Sequence, residues 1–350
     1  MIPIFLSTFK QSRYFEHLYT ATGELERFEH GVQRLRSVGY QVECPFPYGA
    51  VINPVSLTSR PNARKPIDLT ITGSIHGNER AGLAVLNHLL DLLASGLVNI
   101  PFKLALAVGN PKALLQNIRY VEKDLNRSFG AQSSGAWESL RARDLEAFLS
   151  QTQYYLDIHQ TTEPSERPFF IFPYESKSYA FARAIEPRYT IVTHWGKPFS
   201  TSGECSDEYV QRQDGIGITL ELGQASFDPS QISCGVTACL RAFAVVAAYI
   251  QGKPLVSTQL NPIGDLFTYL DPPVPYPKSW LDLKEGLYNF CPIKEGDVLG
   301  SLESGDVVKA PSSGRALFPQ YFRDKAQYDP AAKELMRLLI PLAEDALPSS

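Results

Sequence analysis

Apolar residues fall at alternate positions through Ile67-Asp68-Leu69-Thr70-Ile71-Thr72 and then at helical spacing from Ala81 to Leu93. The first pattern predicts a strand and the second a helix. Between them lies Gly73-Ser74-Ile75-His76-Gly77-Asn78-Glu79-Arg80-Ala81-Gly82, a turn at the carboxyl end of a strand, where open α/β sheets carry their chemistry. The alternation continues downstream. Lys103 to Val108 predicts a buried strand, Pro111 to Gln116 a short helix opened by proline, and Ala136 to Ser150 an amphipathic helix. Tyr154 to Ile158, Phe169 to Phe172, Arg188 to Thr193 and Ile216 to Leu222 predict further strands. Pro229 to Ile250 predicts a long helix whose apolar residues spread widely enough to lie against a sheet. Strand and helix in turn imply an α/β fold, a mixed or largely parallel sheet covered by helices on both faces.

The two ends read differently. Ser12 to Ser37 predicts one or two helical pieces, broken at Gly23 and Gly31, and Tyr40 to Ser59 an edge strand or ordered loop. Residues 1–66 are therefore expected as an N-terminal extension packed on an α/β domain at 67–253. Composition changes at Gly252-Lys253-Pro254: prolines cluster at 272–277 and short β-like runs follow at 290–300, 307–311 and 314–319. These predict a small all-β domain at 254–350. Its spacing resembles the barrel-sandwich hybrid fold of biotinyl and lipoyl carriers, but no lysine sits at an evident hairpin tip, so a structural module capping the site is expected.

Bulk properties narrow the function. The 350 residues carry a net charge of −4 and no basic run, which argues against nucleic acid as the main partner. No apolar run is expected to reach membrane-spanning length, and the N-terminus lacks a leader pattern, so no membrane partner is expected. Five cysteines, scattered and never in a Cys-x-x-Cys pair, suit reduced thiols in a cytoplasmic protein.

His76 and Glu79, three residues apart on a glycine-flanked turn, can share one divalent ion; alone, such a pair also suits ordinary surface residues. Leu156-Asp157-Ile158-His159 closes a predicted strand, so His159 emerges beside them if the strands are parallel. Two imidazoles and a carboxylate form the ligand set of zinc carboxypeptidases. Asp157 could bond backbone or a ligating imidazole instead of metal. His17, His30 and His88 fall on predicted helices and read as surface or packed residues, and His194 follows a strand without a companion ligand. Arg119-Tyr120-Val121-Glu122-Lys123-Asp124-Leu125-Asn126-Arg127 is either a solvated charged loop or an anchored carboxylate-binding segment. Glu221 ends an apolar strand, where a carboxylate is costly unless paired or exposed in a pocket. Desolvation there would raise its pKa and suit acid/base work.

Taken in order, the Gly73–Gly82 stretch, Asn110-Pro111, Asp124-Leu125-Asn126-Arg127, Asp157-Ile158-His159, Glu221-Leu222-Gly223 and Phe318-Pro319 resemble the succinylglutamate desuccinylase/aspartoacylase family of the zinc carboxypeptidase superfamily. The resemblance runs from about residue 67 to about residue 330. It implies one zinc ion held by His76, Glu79 and His159, with Glu221 as the general base for zinc-bound water. It implies Arg119 polarising the scissile carbonyl, and Asn126 and Arg127 holding a substrate carboxylate. Tyr328 lies where such enzymes bring a tyrosine into the site. Arg212, with Tyr209 beside it, lies near where they bind a second carboxylate.

The expected activity is removal of an acyl group from an N-acyl amino acid by a zinc-dependent amidohydrolase, with a small-molecule substrate and oligomeric state left open. A carboxypeptidase releasing a C-terminal amino acid needs the same residues and stays as the alternative. A non-catalytic small-ligand binder on the same fold is the reading from another class.

Overall fold

Leu104, Leu106 and Val108 bury into one apolar cluster and Ala105 and Ala107 into another, so a single strand faces two cores. Such two-sided burial is what a sheet covered on both faces requires. The computed structural model describes residues 20–55, 62–131, 134–200, 203–253, 263–320 and 333–348. Its elements run α1 (Ala21–Ser37), β1 (Gln41–Glu43), β2 (Gly49–Asn53), β3 (Ile67–Gly73), α2 (Ala81–Ala94), β4 (Leu104–Val108), α3 (Pro111–Gln116), α4 (Trp137–Leu149), β5 (Thr152–Thr161), β6 (Phe169–Pro173), α5 (Ser176–Ile185), β7 (Thr190–His194), α6 (Ser206–Arg212), β8 (Ile216–Gln224), α7 (Pro229–Ile250) and β9 (Leu266–Tyr269). Short strands complete it: β10 (Val274–Pro275), β11 (Leu281–Leu283), β12 (Pro292–Ile293), β13 (Val298–Leu302), β14 (Val307–Lys309), β15 (Gly314–Leu317) and β16 (Glu334–Pro341).

The main sheet has the order β1-β2-β4-β3-β5-β8-β6-β7-β9-β16-β15-β12. Strands β4, β3, β5 and β8 are mutually parallel; β2 and β6 join that block antiparallel. The sheet is therefore mixed, as expected. On one face α1, α2, α5 and α7 meet Leu69, Ile71, Leu156, Ile158, Ile218 and Leu220; on the other, residues of α4 and α6 meet Tyr155 and Ala105. Within β5 the side chains at 154, 156 and 158 enter the first core. Tyr155, Asp157 and His159, of opposite parity, are thereby directed to the α4 and α6 face.

Hydrogen bonding does not stop at residue 253. Strand β9 pairs parallel with β7 and antiparallel with β16, so the C-terminal strands extend the main sheet, while β11, β13 and β14 form a separate three-stranded sheet.

Several expectations need correction. α1 runs unbroken through Gly23 and Gly31; a Cβ on Gly31 would lie 2.9 Å from the Leu90 Cβ, so this glycine serves the close crossing of α1 and α2. β5 and β8 continue to Thr161 and Gln224, so His159 and Glu221 lie inside their strands rather than at their ends. Their cross-strand pairing, with an irregularity between His159 and Thr161, sustains the extra residues. Helix α7 is long and apolar enough, by length and composition, to cross a membrane, contrary to the sequence expectation. Here Ile232, Cys239, Ala242, Phe243 and Val246 are core residues. Helices α5 and α6 are short and were not anticipated.

Candidate active site

Two features of the β3–α2 turn place its side chains. Gly73 and Gly82 touch backbone to backbone, since a Cβ on Gly73 would lie 2.6 Å from the Gly82 carbonyl carbon. The Ser74 hydroxyl donates to the Glu79 carbonyl at 2.9 Å and accepts from the Leu83 N–H at 3.2 Å. The closed turn aims His76 and Glu79 toward β5. Nδ1 of His76 lies 2.6 Å from Glu79 Oε1, and Nδ1 of His159 lies 3.0 Å from Glu79 Oε2. Ligand atoms of the three residues fall within 4.8 Å of one another, and all three are buried.

A carboxylate stands behind each imidazole. His76 Nε2 lies 3.1 Å from Asp124 Oδ1, and His159 Nε2 lies 2.8 Å from Asp157 Oδ2. Asp157 thus takes the outer position that the sequence leaves open, and Asp124, of the Asp124-Leu125-Asn126-Arg127 motif, stands in the same way behind His76, which the sequence does not indicate. The Gln160 N–H adds a bond to Glu79 Oε2 at 3.1 Å. Arg119 reaches Asp124 Oδ2 at 3.2 Å and Glu79 Oε1 at 3.6 Å.

Electrostatics follow from this crowding. Burial alone would raise the Glu79 carboxyl, but His76 and His159 outweigh it and hold the group ionised. Burial would likewise raise Asp124, and His76 and Arg119 bring it well below the usual carboxylate range. Burial disfavours a charged His159, yet Asp157 and Glu79 raise its pKa well above the ordinary value. Carboxylates that stabilise a positive charge this firmly on a buried imidazole would also favour a metal cation beside it.

Glu221 pairs with His159 across β5 and β8, and with Phe169 across β8 and β6. Burial pushes its pKa up to about 8, against the opposing pull of His159. Its Oε2 is buried without a hydrogen-bond partner. An orphaned carboxylate oxygen beside a His/Glu/His cluster fits a site completed by an ion and its attendant oxygen ligand. The donor set, two nitrogens and one carboxylate, suits zinc and also other divalent metals.

The remaining candidates divide. Asn126 sits just past Asp124, its Oδ1 accepting from the Ser206 N–H at 2.9 Å. Arg127 is half-buried beside it; its Nη1 donates to the Asn126 carbonyl at 2.5 Å and lies 3.0 Å from the Cys205 sulfur. The Arg119–Arg127 segment is thus anchored. Arg212 is engaged elsewhere: Glu204 takes its Nε and Nη2 at 2.8 and 2.9 Å, and no bond described for it reaches the cluster. Tyr328 lies outside the described residues.

One further residue escaped sequence reasoning. Glu138, fully buried at the start of α4, accepts from Val121 N at 2.6 Å, Glu122 N at 3.2 Å and Lys123 N at 3.3 Å. It also accepts from Asn110 Nδ2 at 3.0 Å. The loop between Arg119 and Asp124 is therefore tied down by one carboxylate. A glutamate in the first turn of an amphipathic helix gives no sign of this in sequence.

Known proteins resemble this chain to different depths. A succinylglutamate desuccinylase from Yersinia pseudotuberculosis is 31% identical over 195 residues, which is 51% of this chain and 58% of that relative. The chain thus matches less than two thirds of that relative's length. The fold resembles a succinylglutamate desuccinylase structure from Vibrio parahaemolyticus, with a TM-score of 0.67 at 15% identity over 87% of this chain and 89% of the other. It also resembles murine aminoacylase 3, with a TM-score of 0.58 at 20% identity over 80% and 97%. The profile of the succinylglutamate desuccinylase/aspartoacylase catalytic domain matches residues 66–245, a span that begins just before β3 and contains His76, Glu79, His159 and Glu221, and the chain belongs to that family.

Proposed function

We propose that this chain is a zinc-dependent amidohydrolase that removes an acyl group from an N-acyl amino acid. The observation that carries the reading is Glu221, buried with a free carboxylate oxygen next to the His76–Glu79–His159 cluster. A structural salt bridge would have satisfied that oxygen. A relative named succinylglutamate desuccinylase supports the substrate class.

His76, Glu79 and His159 would hold the ion, with Asp124 and Asp157 fixing the two rings from outside. When bound, zinc supplies a Lewis acid for the amide carbonyl and lowers the pKa of a water. Glu221 takes a proton at its carboxylate from the attacking water and gives it to the leaving nitrogen. Glu221, raised to about 8 by burial, would fall toward the range where it accepts a proton at neutral pH once a dication were held beside it. Arg119, partly exposed beside Glu79, steadies the developing oxyanion. Asn126 and Arg127 hold the substrate carboxylate and fix which amide reaches the reacting atoms.

Residues of the C-terminal part reach the loop that follows β5, which supports reading 254–350 as a cap over the site. Asn289 Nδ2 donates to the Glu163 and Pro164 carbonyls, both at 3.1 Å, and Asn289 Oδ1 accepts from Phe318 N at 2.7 Å. A capped site favours small acyl amino acids over peptides.

The test is amine release from a panel of N-acyl amino acids and short peptides by zinc-loaded protein, with chelated protein and Glu221→Ala as controls. Turnover of acyl amino acids that disappears in both controls is expected. Turnover of peptides alone would move the reading to a carboxypeptidase. Zinc binding without turnover of either would leave a binding protein.

A further inference from the structure

Asp157 is wholly buried and gathers three side-chain donors from three elements. Its Oδ1 accepts from the Thr72 hydroxyl of β3 at 2.6 Å. Its Oδ2 accepts from His159 Nε2 at 2.8 Å and from the Ser206 hydroxyl at 2.6 Å. A carboxylate accepts at both oxygens, and two hydroxyls and a ring nitrogen surround this one within 2.8 Å. The Ser206 hydroxyl is therefore a donor, and His159 Nε2 carries a proton toward Asp157. That leaves His159 Nδ1 as the nitrogen facing Glu79.

Ser206 has a second tie. Its backbone N–H, free at the first position of α6, donates to Asn126 Oδ1. An amide whose oxygen is taken turns its NH2 the other way, so this bond sets which end of Asn126 a ligand meets. Nothing in the sequence distinguishes Ser206 from any serine opening a helix.

We propose that Ser206 is a positioning residue that joins the metal-holding half of the site to the carboxylate-holding half. Its hydroxyl fixes the tautomer and angle of His159 through Asp157, and its N–H fixes the face of Asn126. The proposal rests on reading His76, Glu79 and His159 as metal ligands. It goes beyond that reading in linking two halves that the fold draws from β5 and from the loop before α4.

Ser206→Ala removes the hydroxyl and keeps the N–H, so it separates the two ties. Zinc affinity of the apo-protein, measured by competition with a chromogenic chelator, should fall by about 10- to 100-fold, the usual cost of losing an outer partner of a ligand. The visible spectrum of the cobalt(II)-loaded protein should shift, since it reports the angle of the ligating ring. KM for an N-acyl amino acid at saturating zinc should stay unchanged. Ser206→Thr, which restores the hydroxyl, should bring zinc affinity back toward wild type. Asn126→Ala should do the reverse of Ser206→Ala, raising KM and leaving zinc affinity alone.

Unchanged zinc affinity and cobalt spectrum in Ser206→Ala would overturn the proposal. So would an equal loss in Ser206→Thr, which would point to packing rather than the hydroxyl. The zinc and cobalt measurements need no substrate. If wild-type protein turned over no acyl amino acid, the deacylase reading would fall while these measurements still decided the role of Ser206.

Discussion

His159 and Glu221 stand directly opposite one another on the adjacent parallel strands β5 and β8, with Phe169 completing the row on β6. A sheet register, rather than a loop, therefore sets the separation of the proposed metal ligand and the proposed base. Rigid elements hold such constellations more firmly than loops do. Glu221→Gln keeps the size of the side chain and removes its capacity to take a proton. We predict a fall in kcat of roughly 10²- to 10⁴-fold, the range for loss of a general base, with zinc content unchanged. Metal analysis alongside steady-state kinetics checks both halves; loss of zinc together with activity would make Glu221 a structural partner of the cluster.

Glu138 offers a prediction about the loop that carries Arg119 and Asp124. In Glu138→Gln the NH2 of the new amide faces backbone N–H groups that need an acceptor. Stranding buried donors costs about 1–3 kcal/mol. Arg119 should lose its fixed position, and kcat/KM should drop roughly tenfold, the equivalent of about 1.4 kcal/mol in the transition state. Hydrogen exchange at Val121 and Lys123 should speed up, while exchange in β5 stays as slow as before.

Gly77 follows His76, and its N–H donates to the Arg119 carbonyl at 3.1 Å. A Cβ there would run into the backbone of Ala113 and Leu114 in α3, which cannot swing aside as a side chain could. Gly77→Ala should therefore displace the turn that holds His76 at a cost of about 1–3 kcal/mol or more. Reduced zinc retention after gel filtration and a lower melting temperature are the expected results. Full zinc retention would show that the turn can shift without moving His76.

Much of this was legible because the responsible signals are local. The alternation in Ile67–Thr72 and the wide apolar spread of Pro229–Ile250 report burial directly, and the helix bounds Pro111–Gln116 and Pro229–Ile250 match the structure residue for residue. His76, Glu79 and His159 could be proposed together because parallel strands deliver their carboxyl ends to one edge. What stayed hidden depends on partners distant in sequence. Glu138 and Ser206 act through bonds to groups 15 to 17 and 49 to 80 residues away. Arg212 reads as available in sequence but is engaged by Glu204, and Gly31 reads as a helix break but packs against Leu90.

His194, for which the sequence offers no companion ligand, gives a prediction about stability. It ends β7, its ring lies 5.1 Å from that of Tyr269 and 6.0 Å from that of Phe199, and its Nδ1 faces the Lys197 carbonyl at 3.1 Å. Burial pushes its pKa down to about 4; the Lys197 carbonyl opposes this and the Arg337 charge adds to it. The unfolded chain, with an ordinary imidazole near 6.5, takes up a proton that the folded chain refuses between about pH 6.5 and pH 4. Its contribution is therefore intact above pH 6.5 and lost as the pH falls through that window. At pH 5 the loss should be about 2 kcal/mol relative to pH 8. Other groups titrate in the same range, so the comparison is with His194→Phe, which lacks this term. Denaturant unfolding at pH 8 and pH 5 should show a smaller acid loss in the variant than in the wild type. Equal losses in the two proteins would mean that His194 takes its proton without unfolding.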